Sequence, residues 1–211
     1  MVIDPSLPLA LARRHRSTPV GAVVTLAVES DDLVHGGGFE RAAAVQGGLR
    51  RLRTLPDWVG PDMRLLVCGL NPSLVSADLG VGYAGRSNRF WPAALAAGLV
   101  SAARDPELAL SEGVGFTDLV KRPSASAGEL TPAEYRDGLA RVTRLTAWLR
   151  PRAVVFVGLA GWRVAVDRRA QPGWQPGGLG GVPAYVMPST SGLNARVPRA
   201  ALTDHLRAAV A

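Results

Sequence analysis

The sequence predicts an α/β fold in which a central, mainly parallel sheet is flanked by helices on both sides as a three-layer sandwich. Three short apolar runs, at residues 64–69, 153–158 and 183–188, are each closed by glycine or proline. Their hydrophobicity is continuous rather than alternating, which is typical of strands that are covered on both faces. Because helical stretches lie between the runs, we expect a ligand site beyond the carboxyl ends of parallel strands.

The first helices are predicted from their N-terminal residues. One helix should begin near Phe90, with a proline in its first turn. The clearest follows Thr131, a good N-cap residue, because Pro132 fits the first turn and Glu134 completes a capping box. Apolar residues then recur at helical spacing, at Leu139, Val142, Leu145 and Leu149.

Three later segments are assigned from their position and composition. Residues 159–170 and 198–211 follow apolar runs and should form helices. Residues 171–183 are rich in glycine and proline, so we expect a turn-rich surface loop there.

Residues 1–58 differ from the rest of the chain. They are rich in arginine and interrupted by glycines, so we expect a basic, partly ordered N-terminal extension before a domain at residues 59–211. Residues 39–55 fit a basic helix weakened by Gly47 and Gly48. The extension is either an arm that contacts phosphates or a solvated flank.

Length and composition exclude several protein classes. A chain of 211 residues with 47% hydrophobic residues can bury a full core and is not disordered. It has no apolar run of about 18 residues and no basic-then-apolar signal peptide, so we expect a cytoplasmic protein without membrane spans. The single cysteine, Cys68, excludes an internal disulfide and a multi-cysteine metal site, and we expect it to be buried in a strand.

The net charge is +7. A basic balance favours polyanionic partners, nucleic acid above all. Because the cations are mostly arginine, a GC-rich coding bias explains the same composition. Charge alone therefore supports a nucleic-acid partner without establishing one.

The first apolar run leads into the sequence GLNPS at residues 69–73. Gly69 allows a sharp turn and lets a ligand approach the backbone closely. Asn71 stands between a strand end and a proline, and its amide offers an acceptor and two donors, which suits a planar heterocycle or a water molecule. The alternative is an ordinary Asn-Pro turn. Asp78 is the only carboxylate between residues 69 and 90.

The third run leads into MPSTSGLNAR at residues 187–196. Gly192 allows a tight turn that would project Leu193 at its tip. An exposed leucine among hydrogen-bonding residues is typical of proteins that insert an apolar wedge between bases, whereas the alternative is that Leu193 packs inward. The surrounding residues suit phosphate contacts through hydroxyls, backbone N–H groups and polar side chains: Ser189, Thr190, Ser191, Asn194 and Arg196.

Three collinear segments carry a resemblance to a known family. The sequences GLNPSLVSADLGVGYAGRSNRFW, GFTDLVKRPSASAGEL and MPSTSGLNAR resemble the first motif, the middle segment and the second motif of the mismatch-specific uracil-DNA glycosylase and thymine-DNA glycosylase family. This family belongs to the uracil-DNA glycosylase superfamily. The resemblance runs from about residue 62 to 211 and implies hydrolysis of the N-glycosidic bond of a damaged base in DNA, with no metal or cofactor.

The resemblance also implies roles for individual residues. Asn71 would hold the attacking water, Tyr83 would stack on the flipped base and Asn88 would shape the base pocket. Ser76 would lie close to the base or its phosphate. The backbone near Gly69 and Leu70 would help to bind the base. The resemblance implies that Gly192, Leu193 and the residues after them plug the gap left in the duplex. Together with the hydroxyl residues, the expected DNA-binding set is Ser73, Ser189, Ser191, Gly192, Leu193, Asn194 and Arg196.

Several residues depart from the family pattern. Ser73 replaces the usual glycine after Asn-Pro, and the second motif is longer than the bacterial version. The second motif has no histidine, so backbone N–H groups would have to stabilise the leaving base. The family usually has no carboxylate in the first loop. Since a carboxylate can take a proton from water and an amide cannot, Asp78 is either a general base or a turn residue before Gly80.

Three functions are compatible with these patterns. A monomeric DNA repair glycosylase that excises uracil, best opposite guanine, is favoured, and it would act at the nucleoid. The second is a catalytically weak DNA-damage-binding protein on the same fold. The third, an unrelated α/β nucleotide-binding protein, is disfavoured because neither GxGxxG nor GxxxxGK[ST] follows a predicted strand.

Overall fold

The computed structural model describes residues 4–194 and 196–211, and its centre is a five-stranded sheet. The strands are β4 (Leu65–Gly69), β5 (Val114–Asp118), β6 (Val154–Val157), β7 (Gly173–Leu179) and β8 (Val182–Met187). Their order is β5-β4-β6-β8-β7, with β7 antiparallel to β8 at one edge and the other pairs parallel. The prediction of a mainly parallel sheet is confirmed, and Cys68 is buried in β4.

Helices cover both faces of this sheet, as predicted. They are α1 (Leu7–Ser17), α2 (Asp31–Gly36), α3 (Leu74–Leu79), α4 (Phe90–Ala96), α5 (Pro106–Ser111), α6 (Pro132–Leu149), α7 (Leu159–Ala165) and α8 (Arg199–Ala208). Residues of α4 and α8 bury their apolar side chains in one core cluster, and residues of α6 and α7 do so in a second cluster. None of the helices in the described residues combines the length and apolar character needed to cross a bilayer.

The predicted capping box of α6 is present. The hydroxyl of Thr131 accepts from the backbone N–H of Glu134 at 3.3 Å, and the Glu134 carboxylate accepts from the N–H of Thr131 at 2.8 Å. These bonds satisfy N–H groups that lack a partner within the helix. The start of α6 is therefore determined locally by the sequence.

Residues 171–183 do not form the surface loop that their composition predicts. They form β7 and the turn into β8, and the ring of Trp174 packs edge-on against Tyr185 at a centroid distance of 5.2 Å. Gly177 and Gly178 lie where the pairing register shifts, between Gln175 and Leu179. Although the composition of this segment is typical of turns, its hydrogen bonds to β8 make it an edge strand, and the irregularity is confined to the register shift.

Residues 39–55 do not form the predicted basic helix either. They contain β2 (Phe39–Arg41) and β3 (Gly48–Arg51), which pair with β1 (Val23–Thr25) in an antiparallel sheet of order β1-β3-β2. Phe39 and Leu49 are buried, which gives the strands the long-range contacts that a helix would lack.

Residues 4–55 form an N-terminal module around this small sheet and the helices α1 and α2. The module packs against the main domain through apolar contacts, with Ala12 of α1 buried in the main core, and through charged ones. The charged contacts include two hydrogen bonds from Arg144 of α6 to the carboxylate of Asp32, at 2.6 and 2.8 Å. Residues 1–3 of the predicted extension lie outside the described residues. The module reaches the cavity described below, because Leu55 forms part of its wall.

Candidate active site

A large cavity opens where the parallel strands end, at the edge of the sheet predicted to hold the ligand. Its volume is about 520 Å³, within the range of about 300–1,000 Å³ that is usual for small-molecule sites. All the predicted site residues line it except Asp78 and Arg196, namely Gly69, Leu70, Asn71, Ser73, Ser76, Tyr83, Asn88, Ser189, Ser191, Gly192, Leu193 and Asn194. Residues of the first and second motifs therefore meet in one place, and Asp118 and Ser124 of the middle segment line the same cavity.

Two serines at the start of α3 hold the first loop together. Ser73 is the N-cap of α3, and its hydroxyl accepts from the N–H of Ser76 at 3.1 Å. The Ser76 hydroxyl accepts from the hydroxyl of Ser73 at 3.0 Å and from the N–H of Ala84 at 3.3 Å. These bonds tie the residues around Tyr83 to the start of α3. The hydroxyls predicted to contact DNA or base are thus engaged within the protein.

The chain has three asparagines, and all three line the cavity. The Oδ1 atom of Asn88 accepts from the N–H of Phe90 at 3.0 Å, and Nδ2 of Asn194 donates to the carbonyl of Ser189 at 3.0 Å. Nδ2 of Asn71 is bonded to acceptors of its own and a neighbouring loop. Each amide is anchored at one end, which leaves the NH2 group of Asn88 and the Oδ1 atoms of Asn71 and Asn194 without a hydrogen-bond partner among the described residues.

Tyr83 provides an aromatic surface in the cavity. Its ring stacks on Phe90, with centroids 4.1 Å apart and planes 20° apart, so Phe90 covers one face of the ring. Its φ of 58° is left-handed, which costs about 1–3 kcal/mol for a non-glycine residue and is typical of functional sites. The hydroxyl of Tyr83 is buried and has no hydrogen-bond partner among the described residues.

Asp118, which the sequence analysis did not single out, is the central carboxylate of the cavity. It ends β5 and lies directly beside Gly69, which ends β4 in parallel register. A side chain on Gly69 would overlap Oδ1 of Asp118 and lie 3.1 Å from the hydroxyl of Tyr83, so only glycine fits there. Among the described residues that line the cavity, no other carries a carboxylate.

The surroundings of Asp118 make it a stronger base than an ordinary aspartate. Burial raises its pKa to about 6, with an opposing effect of Lys121, a further rise from Asp57 and an opposing effect of Arg141. Asp57 accepts from Lys121 at 2.8 Å and from Arg141 at 2.6 Å, and Arg141 also donates to the backbone carbonyl of Asp118 at 2.7 Å. The two cations and Asp57 carry one net positive charge, which an ionised Asp118 balances.

Asp78 lies outside the cavity, and its position two residues before Gly80, which caps the end of α3, fits the predicted turn residue better than the predicted general base. It belongs to the last turn of α3, outside the residues that line the cavity. Its carboxylate accepts from Arg53 at 2.6 and 2.8 Å, and its side chain is 54% exposed. The hydrogen bond from Arg53 lowers the pKa of Asp78, which makes it a weaker base. The structure thus separates Asp78 from Asn71.

Arg89, which follows Asn88 in the first motif, holds the second motif in place. Its guanidinium donates to the carbonyls of Ser191 at 3.2 Å, Asn194 at 2.7 Å and Val197. A side chain on Gly192 would overlap Ser87, so the two loops touch there. The sequence analysis missed the role of Arg89, although its position beside Asn88 was a usable signal.

Leu193 projects from this loop into solvent. Its side chain is 97% exposed, so it does not pack inward at the start of α8. Arg196 is also exposed on the same loop but does not line the cavity. The loop that carries this exposed leucine is held by hydrogen bonds from Arg89, which is the geometry expected of a side chain that inserts between bases.

A mainly parallel sheet with an amide-lined cavity at its strand ends defines an α/β protein whose candidate ligand site lies where such sheets usually bind their ligands. A family model of the uracil DNA glycosylase superfamily matches residues 56–210, and the chain belongs to that superfamily. Membership implies a DNA glycosylase, a hydrolase of base excision repair that acts on DNA. The N-terminal module, residues 4–55, lies outside the matched region.

A solved structure supports the fold. The solution NMR structure of a candidate uracil DNA glycosylase from Methanosarcina acetivorans superposes with a TM-score of 0.50. The two chains are 20% identical, and the match covers 73% of this chain and 98% of the other. At this level of identity the similarity concerns the architecture.

Proposed function

We propose that this chain is a monofunctional glycosylase of the mismatch-specific type that hydrolyses the N-glycosidic bond of uracil in DNA, best opposite guanine. The observation that carries the proposal is the joint placement of Asn71, Asn88 and Asp118 in one cavity at the ends of parallel strands. The cavity takes a base that has left the duplex, because chemistry at the glycosidic bond requires an extruded nucleotide.

The base is recognised by stacking and by hydrogen bonds. The free face of Tyr83 stacks on the flipped base, since the other face rests on Phe90. The NH2 group of Asn88 donates to a carbonyl oxygen of the base, because its own Oδ1 is bonded to the backbone. Uracil has carbonyl oxygens on both sides of its N3–H group and suits such a donor.

A water molecule between Asn71 and Asp118 is the nucleophile in this proposal. Both side chains present acceptors, so the water donates its two hydrogens to them and keeps a lone pair for C1′ of the sugar. As the C–O bond forms, the C1′–N bond breaks, its electron pair leaves with the base, and Asp118 takes the proton. Proton transfer to a placed base contributes about 10²–10⁴-fold to such a rate.

The transition state has positive charge on the sugar and negative charge on the leaving base. The carboxylate of Asp118 stabilises the sugar charge, and the donors at the base, including Asn88, stabilise the base charge. Asp118 therefore acts both through its field and as a base, whereas Asp78 is assigned no catalytic step.

DNA is engaged through the second-motif loop. Leu193 enters the stack where the base has left, and the basic surface, with a net charge of +7 over the chain, binds phosphates. Affinity for duplex DNA should therefore fall steeply between low and moderate salt. An affinity that is independent of salt would contradict a DNA substrate.

The proposal is tested by single-turnover excision with the enzyme in excess of labelled DNA. The panel contains G·U, A·U and G·T duplexes, single-stranded uracil and a G·C control. We expect G·U to react fastest, because a wobble pair costs less to open than a matched pair. Failure to release uracil from any member would overturn the glycosylase proposal, and tight binding without release would identify the damage-binding alternative.

A further inference from the structure

Asn71 is held by the loop that follows β5. Its Nδ2 atom donates to the carbonyl of Arg122 at 3.0 Å, to the hydroxyl of Ser124 at 2.9 Å and to the carbonyl of Pro72 at 3.2 Å. The two loops run side by side, because Ser124 also donates its backbone N–H to the carbonyl of Pro72 at 3.2 Å. Ser124 is 3% exposed, so no bulk solvent competes for these bonds.

The hydroxyl of Ser124 can act only as an acceptor toward Asn71. Its single hydrogen is donated to the carbonyl of Ser126 at 2.7 Å. A serine hydroxyl has one hydrogen and two lone pairs, so the side that faces Asn71 carries a lone pair. The neighbouring Arg122 carbonyl is an acceptor in any arrangement.

These acceptors determine which way the Asn71 amide points. With the amide reversed, Oδ1 would face two oxygen acceptors, and the NH2 group would lose its bonds to Arg122 and Ser124. Amide orientations are inferred from such hydrogen-bond networks. The bonding pattern therefore directs Oδ1 of Asn71 into the cavity.

We propose that Ser124 is a positioning residue that fixes the Asn71 amide with its oxygen toward the reacting water, through the bond between Ser124 Oγ and Asn71 Nδ2. The inference rests on the proposed function, because the water is a substrate of that reaction. Ser124 touches neither the water nor the sugar in this scheme. Its effect on rate passes entirely through Asn71.

The first experiment needs no activity. Since the chain has only three asparagines, labelling asparagine with ¹⁵N gives three pairs of side-chain NH2 signals, and the Asn71 pair is identified by its loss in Asn71→Ala. We expect the Asn71 hydrogens to exchange with water about tenfold more slowly than those of Asn88, because bonded hydrogens are protected. Ser124→Ala should lower that protection measurably, because one acceptor of Nδ2 is removed while the Arg122 and Pro72 carbonyls remain, and it should leave Asn88 unchanged.

The second experiment measures single-turnover excision from the G·U duplex. Ser124→Ala should slow it about tenfold, because a misplaced nucleophile lowers the rate while DNA affinity stays the same. In the Asn71→Ala background the same substitution should change the rate less than twofold. Thr146→Val is the matched control, since it removes a buried hydroxyl bonded to Val142 within α6, away from the cavity.

The outcomes separate this inference from the proposed function. Lowered Asn71 protection in Ser124→Ala supports the positioning role even if the parent protein excises no base, in which case the proposed function alone fails. Unchanged protection in Ser124→Ala overturns the inference. Equal slowing of the parent and of Asn71→Ala also overturns it, because Ser124 would then act independently of Asn71.

Discussion

Two aspartates of the molecule have opposite surroundings: Asp118, together with Gly69, forms what we call the floor of the cavity, and Asp78 lies on the surface outside it. On the floor, Asp118 lies beside Gly69, its carboxylate has no hydrogen-bond partner among the described residues, and burial raises its pKa to about 6. Outside, the carboxylate of Asp78 is half exposed and its pKa is lowered by a hydrogen bond from Arg53. A general base is useful when it is enclosed and unpaired, so this comparison supports our proposal that Asp118, and not Asp78, takes the proton.

The largest effect expected from this comparison is that of Asp118→Asn. The substitution keeps the shape of the side chain but removes the group that takes the proton, so single-turnover excision should fall about a hundredfold or more. DNA affinity should stay the same or rise slightly, because a negative charge near the phosphates is removed. Excision assays with excess enzyme and a binding titration measure the two quantities separately.

Asn71→Ala is the companion variant for that experiment. It should also lose activity, with poorer discrimination among bases, since the amide positions the water. If Asp118→Asn excised uracil at nearly the parent rate, Asp118 would contribute only to the shape of the cavity. Asn71 would then have to activate the water without a carboxylate.

The pH dependence of the rate gives the next largest effect. Burial raises the pKa of Asp118 to about 6, so the carboxylate is ionised above that pH and protonated below it. A general base acts only when ionised, so the single-turnover rate should be level above about pH 7 and about tenfold lower at pH 5. The profile of Asp118→Asn should lose this step, and a step that persisted in that variant would belong to another group.

The difference between Asp118 and Asp78 also shows how far sequence reasoning reaches. The strands β4, β6 and β8 and the start of α6 could be predicted, because apolar runs and capping residues act locally. The loops that line the cavity could be predicted because they follow those strands. The segment containing β5 was matched as a motif but not identified as a strand, so its last residue was not placed beside Gly69.

Pairing between distant residues was the missing information. Asp118 lies beside Gly69 because β4 and β5 pair in parallel, which the sequence does not show. Asp78 is only seven residues from Asn71 in the sequence, so it was the more obvious candidate for the general base. The N-terminal module was missed for a similar reason, because its core joins Leu11, Phe39 and Leu49 from separate elements. Local composition cannot show such contacts, whereas it does show turns and caps.

Leu193→Ala tests the surface at the mouth of the cavity, with a smaller expected effect. Because its side chain is 97% exposed, the substitution should leave the fold intact. Excision from duplex DNA should weaken about fivefold to tenfold, while single-stranded DNA should be affected much less, since a wedge matters where a stack must be opened. The measurement is kcat/KM on matched duplex and single-stranded substrates.

The control for Leu193→Ala is Leu108→Ala, which truncates another partly exposed leucine, on α5. It should leave both substrates unchanged. Equal losses on duplex and single strands in Leu193→Ala would show that the leucine contributes general contact area and is not a wedge.

The smallest effect is expected from Asp78→Asn, and it is the matched control for Asp118→Asn. The bond between Arg53 and Asp78 lies at an exposed surface, where ion pairs contribute little to stability. Neither residue lines the cavity, so the single-turnover rate should stay within about twofold of the parent value. Arg53→Ala, which removes the same bond from the other side, should behave alike. If Asp78→Asn instead slowed excision as much as Asp118→Asn, the carboxylate of α3 would have to reach the substrate when DNA is bound, and the distinction between floor and surface would fail.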